Sequence, residues 1–477
     1  MSDSVPALLV KVGRFPQLHG GLGVVRTLGR MGVPAYAMVE DRFTPVALSR
    51  HLTGRFVRPT TGAEETSELV SLLLRMGREI GRPTVAVAEG DEAAVLLAEN
   101  ADRLAEWFVL PPVPPALPRR VASKEGLHRI CEEHGVPTPR TRSPVDRAEL
   151  VAVSREWGFP VVLKDREPFT KLNDSAMGHT TVVHDEEELL ARCGAAESPS
   201  VIVQEHIALD IAEEWFTHLY CGAGGVPRLV FTGHKFRSWP PKSGLTTRAW
   251  ARRNTVLATL AAELCRAIGY CGIADLDWRF DRRDGRYKLI DFNPRFGQQF
   301  RLFNTAQGLD VVRAMYLDLT GRRISDGSQI HGRGFIVGNL DAVSTAVTAW
   351  RDRRLPEPLP RRNLERAWVS RDDPVPAVAE AVRFSGTVAR RLTKPLRLRV
   401  TGGNSGPGEG GVGEGAPGGA ARGEAARGEA ALPKDTGSHG TDSQGTGSSN
   451  SGPSTVESHD ASAAPGGRLL PQKGAAP

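Results

Sequence analysis

Two carboxylates and an amide have the types and spacing of a metal site. Asp291 and Asn293 lie two residues apart in one apolar segment, and Asp277 lies in another, before the turn-like run Asp281-Arg-Arg-Asp-Gly285. That run predicts a tight hairpin, and residues two apart on a strand share a face, so we expect the three side chains to meet. Carboxylate and amide oxygens suit Mg²⁺, whose remaining ligands are commonly phosphate oxygens.

Arg295 follows Asn293 by the same two-residue step, so its guanidinium is expected to point the same way if the strand continues. A guanidinium can bind a carboxylate or a phosphoryl group through two parallel hydrogen bonds. The alternative interpretation is a hairpin whose polar face contacts only water. The apolar residues Leu289, Ile290 and Phe292 argue against it, because they indicate a buried strand.

The elements that must position these residues begin with alternating strand and helix patterns over residues 1–118, which predict a parallel sheet with helical crossovers. A glycine-rich turn, His19–Gly23, follows the first predicted strand. Arg26 stands where a dinucleotide motif would have its third glycine, so a tight turn is favoured over dinucleotide binding. The proline-rich run at 111–118 is expected to end this domain as a stiff linker.

The C-terminal part of the chain differs in composition. Residues 401–477 hold 20 of the 52 glycines and no aromatic residue, so they are predicted to be disordered. Residues 331–400 are rich in arginine but carry no nucleic-acid recognition motif, so we expect a solvated basic face and no nucleic acid as partner. Contact of 383–399 with a membrane surface is the alternative.

The sequence also excludes several classes of protein. Its five cysteines are scattered without a CxxC pair, which argues against a disulfide framework and a zinc site. No apolar run approaches the ~20 residues of a transmembrane helix, and the N-terminus lacks the charged region of a signal peptide. The P-loop, HExxH and GxSxG motifs are absent from the sequence. We therefore expect a cytoplasmic protein with no transmembrane segment.

The order of these features resembles the ATP-grasp superfamily, and within it the carboxylate–amine ligases of the D-aspartate-ligase-like group. In that family an acidic strand, followed by an acidic-x-Asn-Pro-Arg strand, holds the metal ions, and the likeness extends over most of residues 5–320. It implies an α/β fold that is α+β in its ATP-binding part. The implied domains are a Rossmann-like pre-ATP-grasp domain (1–118), a two-lobed ATP-grasp domain (119–330, with a small lobe at 119–205 and a large lobe at 206–330), an Arg-rich extension (331–400) and the tail (401–477).

The resemblance also implies roles for individual residues. Two lysines match the family's phosphate-binding lysines, a short segment matches the hinge whose backbone binds adenine, and an acid matches the ribose ligand. The nucleotide contacts implied in this way are Lys124, Lys164, the segment Gln204, Glu205, His206 and Ile207, and Glu214, with Glu213 as the alternative. The implied metal ligands are Asp277, Asp291 and Asn293, and the implied catalytic cations are Arg295, Lys235 and Arg237.

The chain departs from the family pattern after the second lysine, where relatives carry a glycine-rich phosphate lid. The interval 165–180 has one glycine, and the sequence leaves open whether Lys171, His179 or the backbone covers the phosphates. Asp291 stands where many relatives have Glu, which shortens the metal ligand by one methylene.

The reaction implied by the resemblance uses ATP and two Mg²⁺ ions, for which Mn²⁺ can substitute. A small-molecule carboxylate becomes an acyl phosphate, and an amine then displaces phosphate, with amino acids among the candidate substrates. Carboxylate–thiol ligation, phosphoryl transfer to a small molecule and non-catalytic nucleotide binding are the alternatives, and the likeness favours a homodimer. Candidate substrate contacts are Arg50, Asp91 and Arg301, although Asp91 could instead cap a helix.

Overall fold

The computed structural model describes residues 4–13, 16–166, 180–193, 200–240, 244–353 and 363–400. Three predictions fall outside these ranges: the disordered tail at 401–477, and the phosphate-covering roles considered for Lys171 and His179. Within the described residues, no helix is long and apolar enough to cross a membrane.

A five-stranded parallel sheet forms the first layer, in the order β3-β2-β1-β4-β5. Short runs of Val, Leu and Ala form its central strands, which are buried on both faces by helical crossovers. Its elements are β1 (Ala7–Lys11), α1 (His19–Gly29), β2 (Ala35–Val39), β3 (Gly54–Val57), α2 (Thr66–Ile80), β4 (Thr84–Glu89), α3 (Asp91–Glu99), α4 (Ala101–Leu104) and β5 (Phe108–Val109).

The glycines predicted to form a turn at His19–Gly23 lie inside α1 instead. A Cβ atom at Gly20 would lie 2.5 Å from Gln298 Oε1, and one at Gly21 would lie 2.5 Å from Glu89 Oε2. The glycines therefore let the helix pack closely against β4 and against the segment that follows the predicted metal ligand Asn293. Close packing, which local sequence does not reveal, explains the pattern.

A small four-stranded antiparallel sheet follows, in the order β6-β9-β7-β8. It has an apolar core of its own, formed by residues between Leu150 and Val203. The elements of this region are α5 (Leu117–Ala122), α6 (Lys124–Glu133), β6 (Thr141–Arg142), α7 (Arg147–Trp157), β7 (Val161–Asp165), β8 (Thr181–Val183), α8 (Glu186–Cys193) and β9 (Val201–Glu205). Helix α6 contributes Leu127 and Ile130 to the core of the next sheet rather than to this one.

The large sheet has seven strands in the order β14-β13-β10-β11-β12-β15-β16. Its elements are β10 (Ala212–Gly222), β11 (Val226–Trp239), β12 (Leu245–Ala251), α9 (Thr255–Ala267), β13 (Gly272–Asp281), β14 (Arg286–Asn293), α10 (Val311–Leu319), β15 (Gly334–Ile336), α11 (Gly338–Asp352), β16 (Leu364–Arg366) and α12 (Val375–Val400). The α/β class predicted from the sequence is confirmed. The Arg-rich region contributes strands β15 and β16 to this sheet. The domain boundary predicted at residue 330 would separate these two strands from the rest of the sheet.

A buried ion pair joins the C-terminal region to the first domain. Arg26 Nε lies 2.9 Å from Asp373 Oδ2, and the side chains of the pair are only 5% and 1% exposed. Ser49 Oγ and the Arg50 backbone N–H donate to the same carboxylate at 2.7 and 3.0 Å. Arg26 therefore has a structural role, and Arg50, whose guanidinium donates to the Asp372 carbonyl, lies at this contact rather than at the predicted substrate site.

We expect Asp373→Ala to lower the free energy of unfolding by about 3–5 kcal/mol, because it leaves the Arg26 charge buried without its partner. Asp372→Ala is the matched control: its side chain is 43% exposed and its ion pair with Arg30 is worth about 0–1 kcal/mol. Urea unfolding of both variants, followed by fluorescence, measures the difference. Equal, small losses in the two would contradict the structural role of Asp373.

Candidate active site

The hairpin of β13 and β14 brings the predicted metal ligands together. In this antiparallel pair Asp277 lies directly opposite Asp291, and Asp275 lies opposite Asn293, with a register irregularity just after Asp277. Because opposite residues on paired strands have neighbouring side chains, the four oxygen-bearing groups form one patch. The meeting of these side chains, predicted from the two-residue spacing and the turn, is what the structure shows.

The charges around this patch are unevenly distributed. Burial raises the pKa of Asp277 to about 7, and the negative charges of Asp275 and Asp291 add to the effect. Burial acts in the same direction on Asp291, but the positive charges of Lys124 and Lys164 outweigh it and hold the pKa of that carboxyl below its usual value. Lys124 Nζ is ion-paired directly with Asp291 Oδ1.

Asp277, Asp291 and Asn293 fit a hard cation whose coordination shell also contains oxygen ligands from a bound molecule. Two opposed carboxylates repel each other unless positive charge lies between them, and this repulsion adds to the burial that raises the pKa of Asp277. In the described part of the chain, no group of three or more His, Cys, Asp or Glu side chains could hold a metal by itself. Asp277, Asp291 and the amide oxygen of Asn293 would therefore need phosphate oxygens to complete an Mg²⁺ shell.

Arg295 is held on three sides. Its Nη1 donates to Asp275 Oδ2 and its Nη2 to Asn293 Oδ1, both at 3.0 Å. Its Nε lies 3.3 Å from Asp91 Oδ1, at the start of α3 in the first domain. An amide oxygen has two lone pairs, so Asn293 can accept from Arg295 and still ligate a cation. The guanidinium lies beside the acidic patch, although β14 ends at Asn293 and the strand does not continue to Arg295 as the prediction assumed.

His218 and its contact with Asp275 were missed by the sequence reasoning. The imidazole is fully buried on β10, and its Nε2 lies 3.0 Å from Asp275 Oδ1. A Cβ atom at Gly297 would collide with this ring. His218 thus supports the carboxylate that orients Arg295. Its place four residues after Glu214, an even spacing that puts both side chains on one face of β10, was the available signal.

The two predicted phosphate lysines line one pocket between α6, β7 and β14. Lys124 begins α6, where the Ser123 side chain accepts from the Gly126 N–H. Lys164 is 4% exposed on β7 and lies 3.4 Å from the Ile290 carbonyl. Burial, assisted by the charge of Lys124, lowers the pKa of Lys164 to about 8. The rest of the wall is half apolar, including Leu127, Ile202 and Leu289, and half polar, with His128, Thr138, Thr141 and Gln204.

The predicted hinge and ribose residues lie around an arginine that the sequence reasoning did not identify. Arg279 donates to the Ile207 carbonyl at 2.8 Å and to Glu214 Oε1 at 3.3 Å. Lys235 Nζ lies 3.8 Å from the same Glu214 oxygen. Glu213, the alternative, accepts from Trp215 Nε1 and Arg282 instead. This placement favours Glu214.

The first part of the hinge lies at the end of β9. Gln204 is buried and donates to Thr141 Oγ1 at 3.0 Å. Glu205 accepts from Arg283 at 2.6 Å, and its backbone N–H donates to the Arg140 carbonyl. His206 follows in the loop, where the segment passes from the small sheet to the large one.

Two predicted site residues have other partners. The catalytic role predicted for Arg237 finds no support in its contacts, because the guanidinium donates to Asp341 Oδ1 at 3.1 Å and to Thr345 on α11. A register irregularity of β11 lies between Lys235 and Arg237, a local detail that the resemblance, from which the role was implied, does not show. Arg301, expected to bind a carboxylate of the substrate, instead contacts Asp310 and Glu365 at 3.4 Å each.

The chain has recognisable relatives. Residues 241–325 match the family model "Carbamoyl-phosphate synthase L chain, ATP binding domain". The D-aspartate ligase of Enterococcus faecium is 26% identical over 295 residues, which cover 58% of this chain and 68% of that protein. The carbamoyl phosphate synthase large chain of Thermotoga maritima is 23% identical over 297 residues, and the match spans 58% of this chain but only 25% of that protein.

Solved structures show the same fold. N5-carboxyaminoimidazole synthetase from Staphylococcus aureus superposes with a TM-score of 0.52 at 11% identity, covering 69% of this chain and 81% of that one. Biotin carboxylase from Campylobacter jejuni gives 0.51 at 14% identity, covering 69% and 74%. The fold and the family match define an ATP-grasp, ATP-binding protein. Within that superfamily the chain is similar to a D-aspartate ligase, at 26% identity.

We expect Lys124→Met to raise the affinity for Mn²⁺ in the absence of nucleotide, because it removes the cation that is ion-paired with Asp291. A unit charge about 4 Å away is worth about 4 kcal/mol at an effective dielectric constant of about 20, and water that replaces the lysine screens much of it, so a gain of about tenfold is expected. Electron paramagnetic resonance of free Mn²⁺ measures it. Lys288→Met is the control, because Lys288 lies on β14 like Asp291 but forms its ion pair with Asp281. Its Nζ lies 2.8 Å from Asp281 Oδ2. Unchanged Mn²⁺ binding in Lys124→Met would argue against Asp291 as a ligand.

Proposed function

We propose that this protein activates a small-molecule carboxylate as an acyl phosphate with ATP and transfers the acyl group to an amine, releasing ADP and phosphate. The observation that carries this proposal is the opposed pair Asp277 and Asp291, which has Asn293 beside it and Arg295 at its edge. Acids alone would suggest only cation binding. The surrounding lysines supply the charge that a triphosphate and its transferred phosphoryl group require.

Each side chain has a proposed task. Lys124 and Lys164 bind the phosphates, and Glu214, beside Arg279 and Lys235, binds the ribose. Lys235 and Arg295 compensate the charge that develops during phosphoryl transfer, and Arg295 also holds the oxygen of the acyl group. When bound at Asp277, Asp291 and Asn293, two Mg²⁺ or Mn²⁺ ions would supply electrostatic stabilisation of the phosphates.

Binding of the base requires a movement of the small sheet. The cavity between Lys124, Ile202 and Leu289 has a volume of about 10 Å³, which is about the space that one water molecule needs. An adenine ring is far larger. We therefore propose that β7 and β9 move away from β14 before ATP binds, so that the hinge backbone at 204–207 becomes accessible to it.

The similarity to a D-aspartate ligase makes D-aspartate the first carboxylate to test, followed by the other amino acids. ADP release with Mg²⁺-ATP, a single amino acid and hydroxylamine, combined with mass spectrometry of the product, tests the proposal. A hydroxamate is expected. ADP release with a phosphorylated hydroxyl product would favour a kinase, a requirement for a thiol would favour a thioester ligase, and ATP binding without any turnover would favour a non-catalytic role.

Location and assembly belong to the same proposal. All five cysteines are free, and ATP is the expected co-substrate, so we propose that the protein acts in the cytoplasm. We propose a homodimer on the strength of the family likeness, which sedimentation of the purified chain can test.

Asp291→Asn should reduce ADP release by about 10²–10³-fold, because one charge of the opposed pair is lost where phosphoryl charge is stabilised. Asp284→Asn, in the turn of the same hairpin and 39% exposed, is the matched control and should retain activity. Circular dichroism verifies the fold of both. Near-normal turnover of Asp291→Asn would contradict the assignment of the metal site.

A further inference from the structure

Asp91 begins α3 at the carboxyl end of β4, but it does not cap that helix. The N-cap residue is Gly90, and no side chain accepts a hydrogen bond from the first turn. The alternative considered from the sequence, a helix cap, is therefore not what the structure shows. The Asp91 carboxylate instead lies next to Arg295, at the edge of the acidic patch of the large sheet.

Asp91 contacts Arg295 without accepting a hydrogen bond from it. Oδ1 lies 3.3 Å from Arg295 Nε but accepts no hydrogen bond of good geometry, although the atom is buried. The side chain as a whole is 28% exposed, so a small molecule can reach it. Burial raises the pKa of Asp91 to about 6, with Arg295 opposing this effect, so the group is ionised at neutral pH and can still accept a proton.

The other acids near Arg295, or close to Asp91 along the chain, are enclosed or have partners. Asp275 lies between Arg295 and His218, and its side chain is only 6% exposed. Glu89, two residues before Asp91, accepts from Gln17 Nε2 at 2.8 Å and from the Leu18 backbone N–H at 3.3 Å. Asp277 and Asp291 belong to the candidate metal site. Of the carboxylates described around Arg295, Asp91 is the one that can face an incoming substrate.

An amine at neutral pH is mostly an ammonium ion, which has no lone pair with which to attack. We propose that Asp91 binds the ammonium group of the amine substrate and takes a proton from it, beside the acyl group held by Arg295. This proposal rests on the proposed ligase function. It assigns the amine side of the reaction to the first domain, at the carboxyl end of a strand, where ligands of open α/β sheets bind.

The step conserves atoms and charge. One N–H proton passes from the ammonium to the Asp91 carboxylate, and the freed lone pair forms the new C–N bond at the acyl carbon. The carbonyl electron pair moves to oxygen and returns as the C–O bond to phosphate breaks. The second proton of the nitrogen leaves with the phosphate, and the proton on Asp91 returns to solvent when the product departs.

The test compares two nucleophiles. Hydroxylamine is largely unprotonated at pH 7.5 and needs no base, whereas ammonium chloride and a mixture of amino acids supply protonated amines. With the amino acid that supports hydroxamate formation as carboxylate, Asp91→Asn should lose about 10²-fold or more of amide formation. It should retain hydroxamate formation to within about tenfold, because the activation step does not need the base. The hydroxamate activity also verifies that the variant is folded.

Glu92→Gln is the matched control, because Glu92 lies in the same first turn but faces Gly13 rather than Arg295, and it should retain both activities. Equal loss of hydroxamate and amide in Asp91→Asn would overturn the proposal, since Asp91 would then act only by positioning Arg295. Retention of both products would overturn it as well. A wild-type chain that forms no hydroxamate with any amino acid would overturn the ligase function, and this proposal with it.

Discussion

The register of β13 on β14 is the constraint on which the rest of the site depends. It holds Asp277 against Asp291 in a buried position, where two like charges are costly unless cations surround them. The cations come from separate parts of the chain: Lys124 from α6, Lys164 from the small sheet and Arg295 from beyond the end of β14. Each element that packs around this hairpin therefore contributes charge as well as apolar surface.

The uneven placement of those cations gives the patch two distinct ends. Lys124 and Lys164 lie at the Asp291 end, which faces the pocket between the sheets. Arg295 and Asp91 lie at the other end, which faces the first domain. A linear substrate complex, with phosphates at one end and the accepting amine at the other, matches this arrangement. Under the proposed function, nucleotide recognition and acyl transfer would lie at opposite ends of a single strand pair.

The features that the sequence could predict were those determined locally. The hairpin and the spacing of Asp291 and Asn293 depend on a few consecutive residues, and the meeting of these side chains with Asp277 follows from strand periodicity. The partner of Arg237 is Asp341, more than one hundred residues later, and no local pattern indicates that pairing. The three-residue strands β15 and β16 are too short to show alternation, so their membership of the large sheet was not predictable. His218 looked like any apolar-strand histidine until the register placed Asp275 beside it.

The way the apolar cores are divided has a mechanical consequence. One core joins the first domain, the large sheet and the C-terminal region through residues such as Leu22, Phe216 and Trp368, whereas the small sheet keeps a core of its own. Lys124, on α6, therefore travels with the body of the protein, and Lys164 travels with the small sheet. The two lysine charges oppose each other across the boundary between these parts, and a triphosphate bound between them would attract both. The negative charge of a bound nucleotide would then favour closure of the two parts around it.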